Sequence, residues 1–323
     1  MTRPVATLLA AAIATAPLAP AFAQTWPTKP VRVVVPCPPG CSLDAIVRAM
    51  SDGLAAKWKQ PLVVDNKSGA GGMIGMDAVA KAAPDGHTIG IGFNGPIAFG
   101  PYMYKKMPYA PATDLVPIVL TTSQANVLTV PADLPVKDVK GLVAWAKTQG
   151  DKVSYASVGA GSSSHLAMEL FLNTTGIKAV HVPYKGSPPA ALAVGSGEVQ
   201  MLMAVAPALL PLVQKGKVKF IAITGTQRQD SLPDLPTVAE SGYPGFEALA
   251  WNGLFAPAGT PAAVTERINA DVNAMLADPA VKKSLVNQGL IPGGGSAADF
   301  RSLIDSEGRK WGAIIKQVGI TLD

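Results

Sequence analysis

The sequence has few charged residues, and they are not gathered in any one stretch. Asp, Glu, Lys and Arg make up 15% of the 323 residues, and the formal net charge is +5. A nucleic-acid-binding surface needs a stripe of Lys and Arg, so this mild basicity excludes nucleic acid as a partner. The three histidines, His87, His165 and His181, have no metal-ligand spacing. We therefore expect neither a metal nor another cofactor.

Cysteine is scarce as well, because the chain has only Cys37 and Cys41, four positions apart. Positions i and i+4 of a helical turn lie about 6 Å apart, which is within the Cα–Cα range of a disulfide. In an oxidising compartment the two residues can therefore form a bridge. The alternative is that both are small buried side chains at a turn from strand to helix. The sequence leaves both alternatives open.

Long apolar runs are absent beyond residue 23, so no membrane-spanning helix is predicted there. Before that point an apolar run, Val5–Ala16, is followed by Ala21-Phe22-Ala23, a small-x-small pattern that signal peptidase recognises. The run is shorter than the about 20 strongly apolar residues of a spanning helix. We therefore expect residues 1–23 to be a signal peptide, cleaved after Ala23, and the mature chain to work in the periplasm. The alternative is an uncleaved anchor, whereas a lipid anchor is not expected without a Cys at the cleavage point.

From Pro30 onward, stretches rich in β-branched residues alternate with stretches of helical apolar spacing. The clearest strand is Val31–Val35 and the clearest helix is Ser42–Trp58. Further strands are predicted at 62–65, 87–93, 115–122, 126–130, 153–158, 178–184, 199–205 and 219–224, and further helices at 73–83, 137–147, 163–174 and over most of the chain after residue 261. This alternation predicts an α/β fold of mostly parallel sheets covered on both faces. The length exceeds what one hydrophobic core usually organises, so we expect two lobes.

Three loops rich in Gly, Pro, Ser or Asn join predicted strand ends to helix starts: residues 36–42, 93–98 and 157–164. A parallel sheet places its ligand sites beyond the carboxyl ends of its strands. Such loops let backbone N–H groups and helix N-termini face a cleft, which favours an anion. None of the three loops contains Lys or Arg, while Lys185 stands nearby in the sequence. Our hypothesis is that neutral donors and helix termini hold the anion without a salt bridge.

Two motifs have the form of a cofactor site or a catalytic site. Gly90–Gly95 matches G-x-G-x-x-G at a strand end, but Pro96 and Pro101 interrupt the helix that should follow. Gly159–His165 places serines beside a histidine, but a base on the same helical turn rarely aims at its neighbouring serine, and no G-x-S-x-G elbow exists. We interpret the first as a glycine-rich strand and turn, and the serines as an N-cap and hydroxyl donors. The sequence therefore predicts a protein that is not an enzyme.

Blocks of sequence from one end of the chain to the other match a known family. They begin with Trp26–Arg32 and Val35–Gly40. The others are Val64–Gly72, Pro84–Thr88, Ser157–Ser162 with His165 and Leu166, His181–Gly186, Leu235–Glu240, Trp251–Leu254 and Ala256–Pro261. With these blocks in this order, the chain resembles the Bug-type receptors, the substrate-binding proteins of tripartite tricarboxylate transporters.

That resemblance implies a type II periplasmic binding protein fold, with two lobes around a cleft. Lobe one would comprise residues 24–124 and 249–323, lobe two residues 125–248, with hinges near 122–125 and 248–251. Members of the family bind carboxylic acids such as di- and tricarboxylates or aromatic acids, and deliver them to membrane permease subunits. We accordingly expect a monomeric receptor that closes on a small carboxylate. The alternatives are an orphan receptor that signals to a sensor kinase, and an exported hydrolase.

The resemblance also assigns ligand-binding residues to the three loops. They are Pro39, Gly40, Cys41, Ser42 and Asp44 in the first loop, Asn94, Gly95 and Ala98 in the second, Ser157, Gly159, Gly161, Ser162 and His165 in the third, and Tyr184 lining the cleft. Asp44 has an alternative role at the helix N-terminus, His165 as a buried structural histidine, and Tyr184 in wall packing. Cys41 departs from the family, since most relatives have Gly there, so the resemblance does not identify which acid this chain binds.

Overall fold

The computed structural model describes residues 26–229 and 231–322. The predicted signal peptide, residues 1–23, and its cleavage point lie outside these ranges. Inside them, no helix has both the length and the apolar character needed to cross a membrane.

Strands and helices alternate along the described chain. The strands are β1 (Val31–Val35), β2 (Leu62–Asn66), β3 (Thr88–Phe93), β4 (Leu115–Ala125), β5 (Val127–Pro131), β6 (Ser154–Ser157), β7 (Val180–Pro183), β8 (Met201–Ala204), β9 (Val218–Ile223), β10 (Leu249–Pro257) and β11 (Ile291–Gly294). The helices are α1 (Ser42–Trp58), α2 (Met73–Ala80), α3 (Gly100–Met103), α4 (Pro111–Asp114), α5 (Val139–Gln149), α6 (Ser163–Thr175), α7 (Ser187–Gly195), α8 (Ala206–Gln214), α9 (Ala262–Ala277), α10 (Pro279–Asn287) and α11 (Ala297–Val318). Two 3₁₀ turns, Ala70–Gly72 and Gly150–Lys152, and a π-helical turn, Gly95–Phe99, lie between them.

These elements form two lobes, each with a sheet covered by helices on both faces, which confirms the predicted α/β architecture. The strand order is β11-β4-β10-β3-β1-β2 in lobe one and β7-β6-β8-β5-β9 in lobe two. Consecutive strand residues point to opposite faces. Val33 therefore packs with α1 and α9, and Val34 with α2 and α11. In lobe two, α5 and α6 cover one face, and α7 and α8 cover the other.

The prediction of mostly parallel sheets is wrong, because both sheets are mixed. β1 is parallel to β2 and β3, and β6 is parallel to β7 and β8. However, β10 is antiparallel to β3 and β4, and β5 is antiparallel to β8 and β9. Strands β4, β5 and β10 carry the chain between the lobes, so they do not arise from the strand–helix–strand crossovers that generate parallel neighbours.

Strand β1 and helix α1 have the bounds that the sequence predicts, whereas strands β10 and β11 were not predicted. All but the first residue of β10 are buried. A strand buried on both faces lacks the alternation of apolar and polar residues that identifies a half-buried strand. Strand β11 contains a proline and two glycines, which are residues depleted in strands.

The chain passes from one sheet to the other between Ala125 and Val127 and returns between Ile223 and Leu249. The lobes also touch away from these passages. Gln317 Nε2 on α11 donates to Asn173 Oδ1 on α6, at 3.0 Å. Gly161 of lobe two lies so close to Met103 that a Cβ there would be 2.9 Å from the methionine methyl group. The predicted residue bounds of the lobes and hinges remain a prediction.

Candidate functional site

A cleft of about 780 Å³ lies between the lobes, within the range of roughly 300–1,000 Å³ for small-molecule sites. Lobe one lines it with the β1–α1 loop, residues 68–72 and the end of β3, and lobe two with residues 158–160, 162–164 and 184–187. Gln124 at the end of β4, Asn126 between β4 and β5, and Asn252 in β10 also line it, and we call these three residues the cleft floor. Among the described lining residues, Lys185 is the one with a charged side chain. No carboxylate therefore opposes an anion in this part of the molecule.

Asp44 fixes the β1–α1 loop from behind. Its carboxylate accepts hydrogen bonds from Gly40 N–H at 3.0 Å, Arg48 Nε at 2.8 Å and Asn66 Nδ2 at 3.1 Å. The hydrogen bond from Arg48 is the main reason why the pKa of Asp44 is lowered to about 2. Asp44 is buried and does not line the cleft. Its charge is therefore used to hold the loop and is balanced by Arg48.

The same loop contains a disulfide bond between Cys37 and Cys41, whose Cα atoms are 6.4 Å apart. Cys41 is also the N-cap of α1, and its sulfur accepts the N–H of Asp44 at 3.4 Å. Among the described residues, the N–H groups of Ser42 and Leu43 in the first turn of α1 have no protein acceptor. Both residues line the cleft. The loop thus presents two unengaged donors at the positive end of a 17-residue helix.

Residues 68–72 form a second wall of lobe one, which was absent from the predicted site. Gly69, Ala70, Gly71 and Gly72 have φ angles of 128°, 46°, 62° and 93°. Ala70 holds a left-handed conformation that costs a residue with a side chain about 1–2 kcal/mol. Gly72 must lack a side chain, because a Cβ would lie 2.7 Å from the Phe93 ring. Strain of this kind concentrates at functional sites.

In lobe two, the loop before α6 uses most of its own hydrogen-bonding groups to hold its shape. Ser162 is the N-cap of α6: its hydroxyl accepts from His165 N–H at 3.3 Å and donates to the Gly159 carbonyl at 2.6 Å. Ser164 Oγ accepts from Val158 N–H at 3.3 Å and donates to the Met203 carbonyl. In the described chain, the N–H groups of Ala160, Ser163 and Ser164 have no protein acceptor, and these three residues line the cleft. They are the donors that this loop offers to an anion.

Two stacked histidines support this loop from below. The rings of His165 and His181 are 3.8 Å apart and nearly parallel. His165 Nδ1 accepts from Gly161 N–H at 3.1 Å, and His181 Nε2 lies 2.7 Å from Ser157 Oγ. Burial, and then the neighbouring His181, lower the pKa of His165 to about 3, and burial lowers the pKa of His181 to about 4. Both rings are therefore neutral at neutral pH, and they position the loop through hydrogen bonds.

The structure brings six of the predicted site residues to the cleft: Cys41, Ser42, Asn94, Gly159, Ser162 and Tyr184. The Tyr184 hydroxyl donates to Glu198 at 2.8 Å. The other eight residues do not line it. Asp44, Ser157 and His165 are buried behind the loops, Gly95 and Gly161 line an adjoining pocket of about 250 Å³, Ala98 lines a separate lobe-one pocket, and Pro39 and Gly40 lie on the exposed side of their loop.

The prediction missed three groups of residues: the turn at 68–72, the donors Ala160, Ser163 and Ser164, and the cleft floor. The run of glycines in Ser68–Gly72 could have predicted this turn from the sequence. Ser163 and Ser164 follow Ser162 directly, and only the hydrogen bonds distinguish a capping serine from a free donor. No local sequence pattern indicates that Gln124, Asn126 and Asn252 line a cleft. The described residues contain no group of His, Cys, Asp or Glu that could hold a metal ion.

A family model described as tripartite tricarboxylate transporter family receptor matches residues 46–320 of the chain. Among solved structures, Rpa4515 of R. palustris with adipate is 36% identical, covers 92% of this chain and 99% of its own, and has a TM-score of 0.83. The periplasmic binding protein BugD is 32% identical, with coverages of 92% and 99% and a TM-score of 0.79. MatC from Rhodopseudomonas palustris with bound malate is 30% identical, with coverages of 90% and 100% and a TM-score of 0.78.

Proposed function

Because the chain belongs to the tripartite tricarboxylate transporter family of receptors, we propose that it captures a small carboxylic acid between its lobes. The family and its structural neighbours are solute-binding receptors, and the chain is accordingly a receptor and not an enzyme. This overturns the alternative of an exported hydrolase. The local geometry agrees with it, because His165 Nδ1 faces the Gly161 N–H and not the hydroxyl of Ser162.

The observation that carries the proposal is the set of unengaged N–H groups on both sides of the cleft. Ser42 and Leu43 offer them from α1, and Ala160, Ser163 and Ser164 offer them from α6. Helix N-termini bind carboxylates through such groups and through the helix dipole. Each hydrogen bond to a charged acceptor contributes roughly 1.5–3 kcal/mol. A few of them, offset by the cost of immobilising ligand and lobes, account for the roughly −8 kcal/mol of micromolar binding.

Donors on both lobes give a physical reason for closure. A carboxylic acid in the cleft contacts both sets of N–H groups only when the lobes are close together, so binding favours the closed state. We place the hinges near 122–125 and 248–251, next to the points where the chain leaves β4 and enters β10. We further propose that the receptor works in the periplasm as a monomer and that its closed form delivers the acid to membrane permease subunits. Adipate and malate, seen in two related structures, are the first acids to test.

The proposal is tested by titration calorimetry with a panel of carboxylic acids and with paired variants at the first helical position. Proline is favoured at that position, where it removes an N–H that the helix does not use. Ser163→Pro should therefore leave α6 intact, because Ser162 already has the extended backbone (φ −75°, ψ 163°) that a following proline requires. Ser163→Ala, which removes only the hydroxyl, is its matched control.

We expect Ser163→Pro to bind the acid about tenfold or more weakly than Ser163→Ala, as the loss of one charged hydrogen bond predicts. Ser42→Pro and Ser42→Ala provide the same comparison in lobe one, since Cys41 also has an extended backbone (φ −71°, ψ 168°). Equal affinities within both pairs, or no carboxylate that binds the unmodified protein, would falsify the proposed site.

A further inference from the structure

Among the described residues, the side-chain amide nitrogen of Asn126 on the cleft floor has no hydrogen-bond partner. This Nδ2 atom is buried, and the residue as a whole is only 2% exposed. Its backbone is fixed on both sides, because Asn126 N–H donates to Thr224 Oγ1 at 2.9 Å and its carbonyl accepts from Thr224 N–H at 2.9 Å. The fold therefore fixes the backbone of Asn126, and the residue lines the cleft.

The two other asparagines that line the cleft differ from Asn126. Asn94 Nδ2 donates to the Leu249 carbonyl at 3.3 Å, and Asn252 Nδ2 donates to Thr122 Oγ1 at 2.9 Å. Nearly all buried polar groups in proteins have such partners, and an exception calls for an explanation. An unpaired donor destabilises the folded protein. Its presence in a binding cleft is explained when a ligand supplies the missing acceptor.

A neighbouring residue strengthens this interpretation. Gln124 lies two positions before Asn126, and residues i and i+2 of an extended segment lie on the same side. Gln124 also lines the cleft, and within the described chain its side chain makes no hydrogen bond. The cleft floor therefore carries two uncommitted amides, and they belong to other elements than the carboxylate donors in the loops and first turns of α1 and α6.

Building on the proposed function, we propose that Asn126 donates a hydrogen bond to a second oxygen acceptor on the ligand. The ligand is then an acid that carries an oxygen besides its captured carboxylate group: a second carboxylate, a carbonyl or a hydroxyl. Asn126 selects for this oxygen, because an acid without it leaves the buried amide unpaired in the complex. Water that remains on the cleft floor cannot give this selectivity, since it would pair Asn126 equally with every acid.

The test uses three acids of one chain length: hexanoate, adipate and the monoamide of adipic acid. Hexanoate has no second acceptor, adipate has a charged one, and the monoamide has a neutral carbonyl. Titration calorimetry with the unmodified protein should show that adipate, the monoamide or both bind about tenfold or more tightly than hexanoate. Their relative affinities identify the kind of oxygen to which the cleft floor donates, and any of these patterns supports the proposal.

In Asn126→Ala the preference over hexanoate should fall to within about twofold, while hexanoate itself binds as before. Asn287→Ala, which removes an exposed amide on α10 outside the cleft, should keep the preference. Asn126→Asp has the same shape but no donor, and it should bind adipate more weakly than hexanoate even if the alanine variant does not fold. An unchanged preference in the Asn126 variants, or no preference in the unmodified protein, overturns the role of Asn126 alone. Failure of all three acids to bind overturns the carboxylate site with it.

Discussion

Thr224 and Asn126 are joined by two hydrogen bonds, one from the N–H of each residue. Asn126 N–H donates to Thr224 Oγ1 at 2.9 Å, and Thr224 N–H donates to the Asn126 carbonyl at 2.9 Å. The hydroxyl of Thr224 also donates to the Ala248 carbonyl at 2.7 Å. Asn126 lies in the segment that leaves lobe one, and Ala248 in the segment that returns to it. One buried threonine therefore ties together the two passages between the lobes.

Replacing Thr224 with valine, which has the same shape, should destabilise the protein by about 1–3 kcal/mol, because two buried backbone groups lose their partner. The measurement is urea unfolding followed by tryptophan fluorescence. Thr129→Val is the matched control: Thr129 is equally buried, but its hydroxyl makes a longer bond of 3.3 Å to the nearby Val127 carbonyl. Equal losses of stability in the two variants would contradict the bridging role of Thr224.

Lys185 tests the hypothesis that neutral donors hold the anion. It is exposed at the rim of the cleft, and an exposed charge of this kind contributes little to binding. We expect Lys185→Met to weaken carboxylate binding by at most about fivefold and to reduce its dependence on salt between low and high ionic strength. Lys178→Met removes an exposed charge of the same lobe outside the cleft and is the control. A loss of a hundredfold would show that a salt bridge dominates after all.

The sequence predicted the parts of the fold and site that depend on local patterns. The helical spacing of apolar residues gave α1, and the glycine- and serine-rich loops at strand ends gave two of the cleft walls. It left open the features that long-range contacts decide. Asp44 has the position of a ligand contact, but Gly40, Arg48 and Asn66 occupy its carboxylate. The role proposed for Asn126 depends on strands distant in sequence that enclose it, and no local pattern predicts that.

The stacked histidines predict how stability changes with pH. His165 and His181 have folded-state pKa values of about 3 and 4, below the ordinary value of about 6.5. Above pH 6.5 both are neutral in both states and contribute no pH dependence. Below it the unfolded chain takes up protons that the folded chain does not, so stability falls as the pH falls towards 4. Each histidine contributes up to about 1.4 kcal/mol per pH unit in this window.

His165→Asn should remove about half of the histidine contribution, because Asn keeps an acceptor for Gly161 N–H but does not titrate. The measurement is the free energy of unfolding at pH 7.5, 6.0 and 5.0. His87→Gln, which replaces the histidine outside the stacked pair, should keep the steep decline. If His165→Asn and the unmodified protein decline in parallel, His165 does not remain neutral in the folded state.

Asp44→Asn distinguishes a residue that anchors the loop from one that contacts the ligand, because the two roles predict opposite changes in affinity. A carboxylate beside the bound anion would repel it, so its removal would tighten binding. As an anchor, Asp44 holds the loop that presents Ser42 and Leu43, and its removal should weaken binding and destabilise the protein by about 1–2 kcal/mol at pH 7.

Because the folded-state pKa of Asp44, about 2, lies below its unfolded value of about 3.8, this stabilisation is present above pH 4 and is lost as the pH falls through 2. The difference in unfolding free energy between Asp44→Asn and the unmodified protein should therefore shrink in acid. Arg48→Gln removes the exposed partner and leaves the bonds from Gly40 and Asn66, so it should weaken binding less. If Asp44→Asn binds the acid more tightly than the unmodified protein, Asp44 is a direct neighbour of the ligand and not only an anchor of the loop.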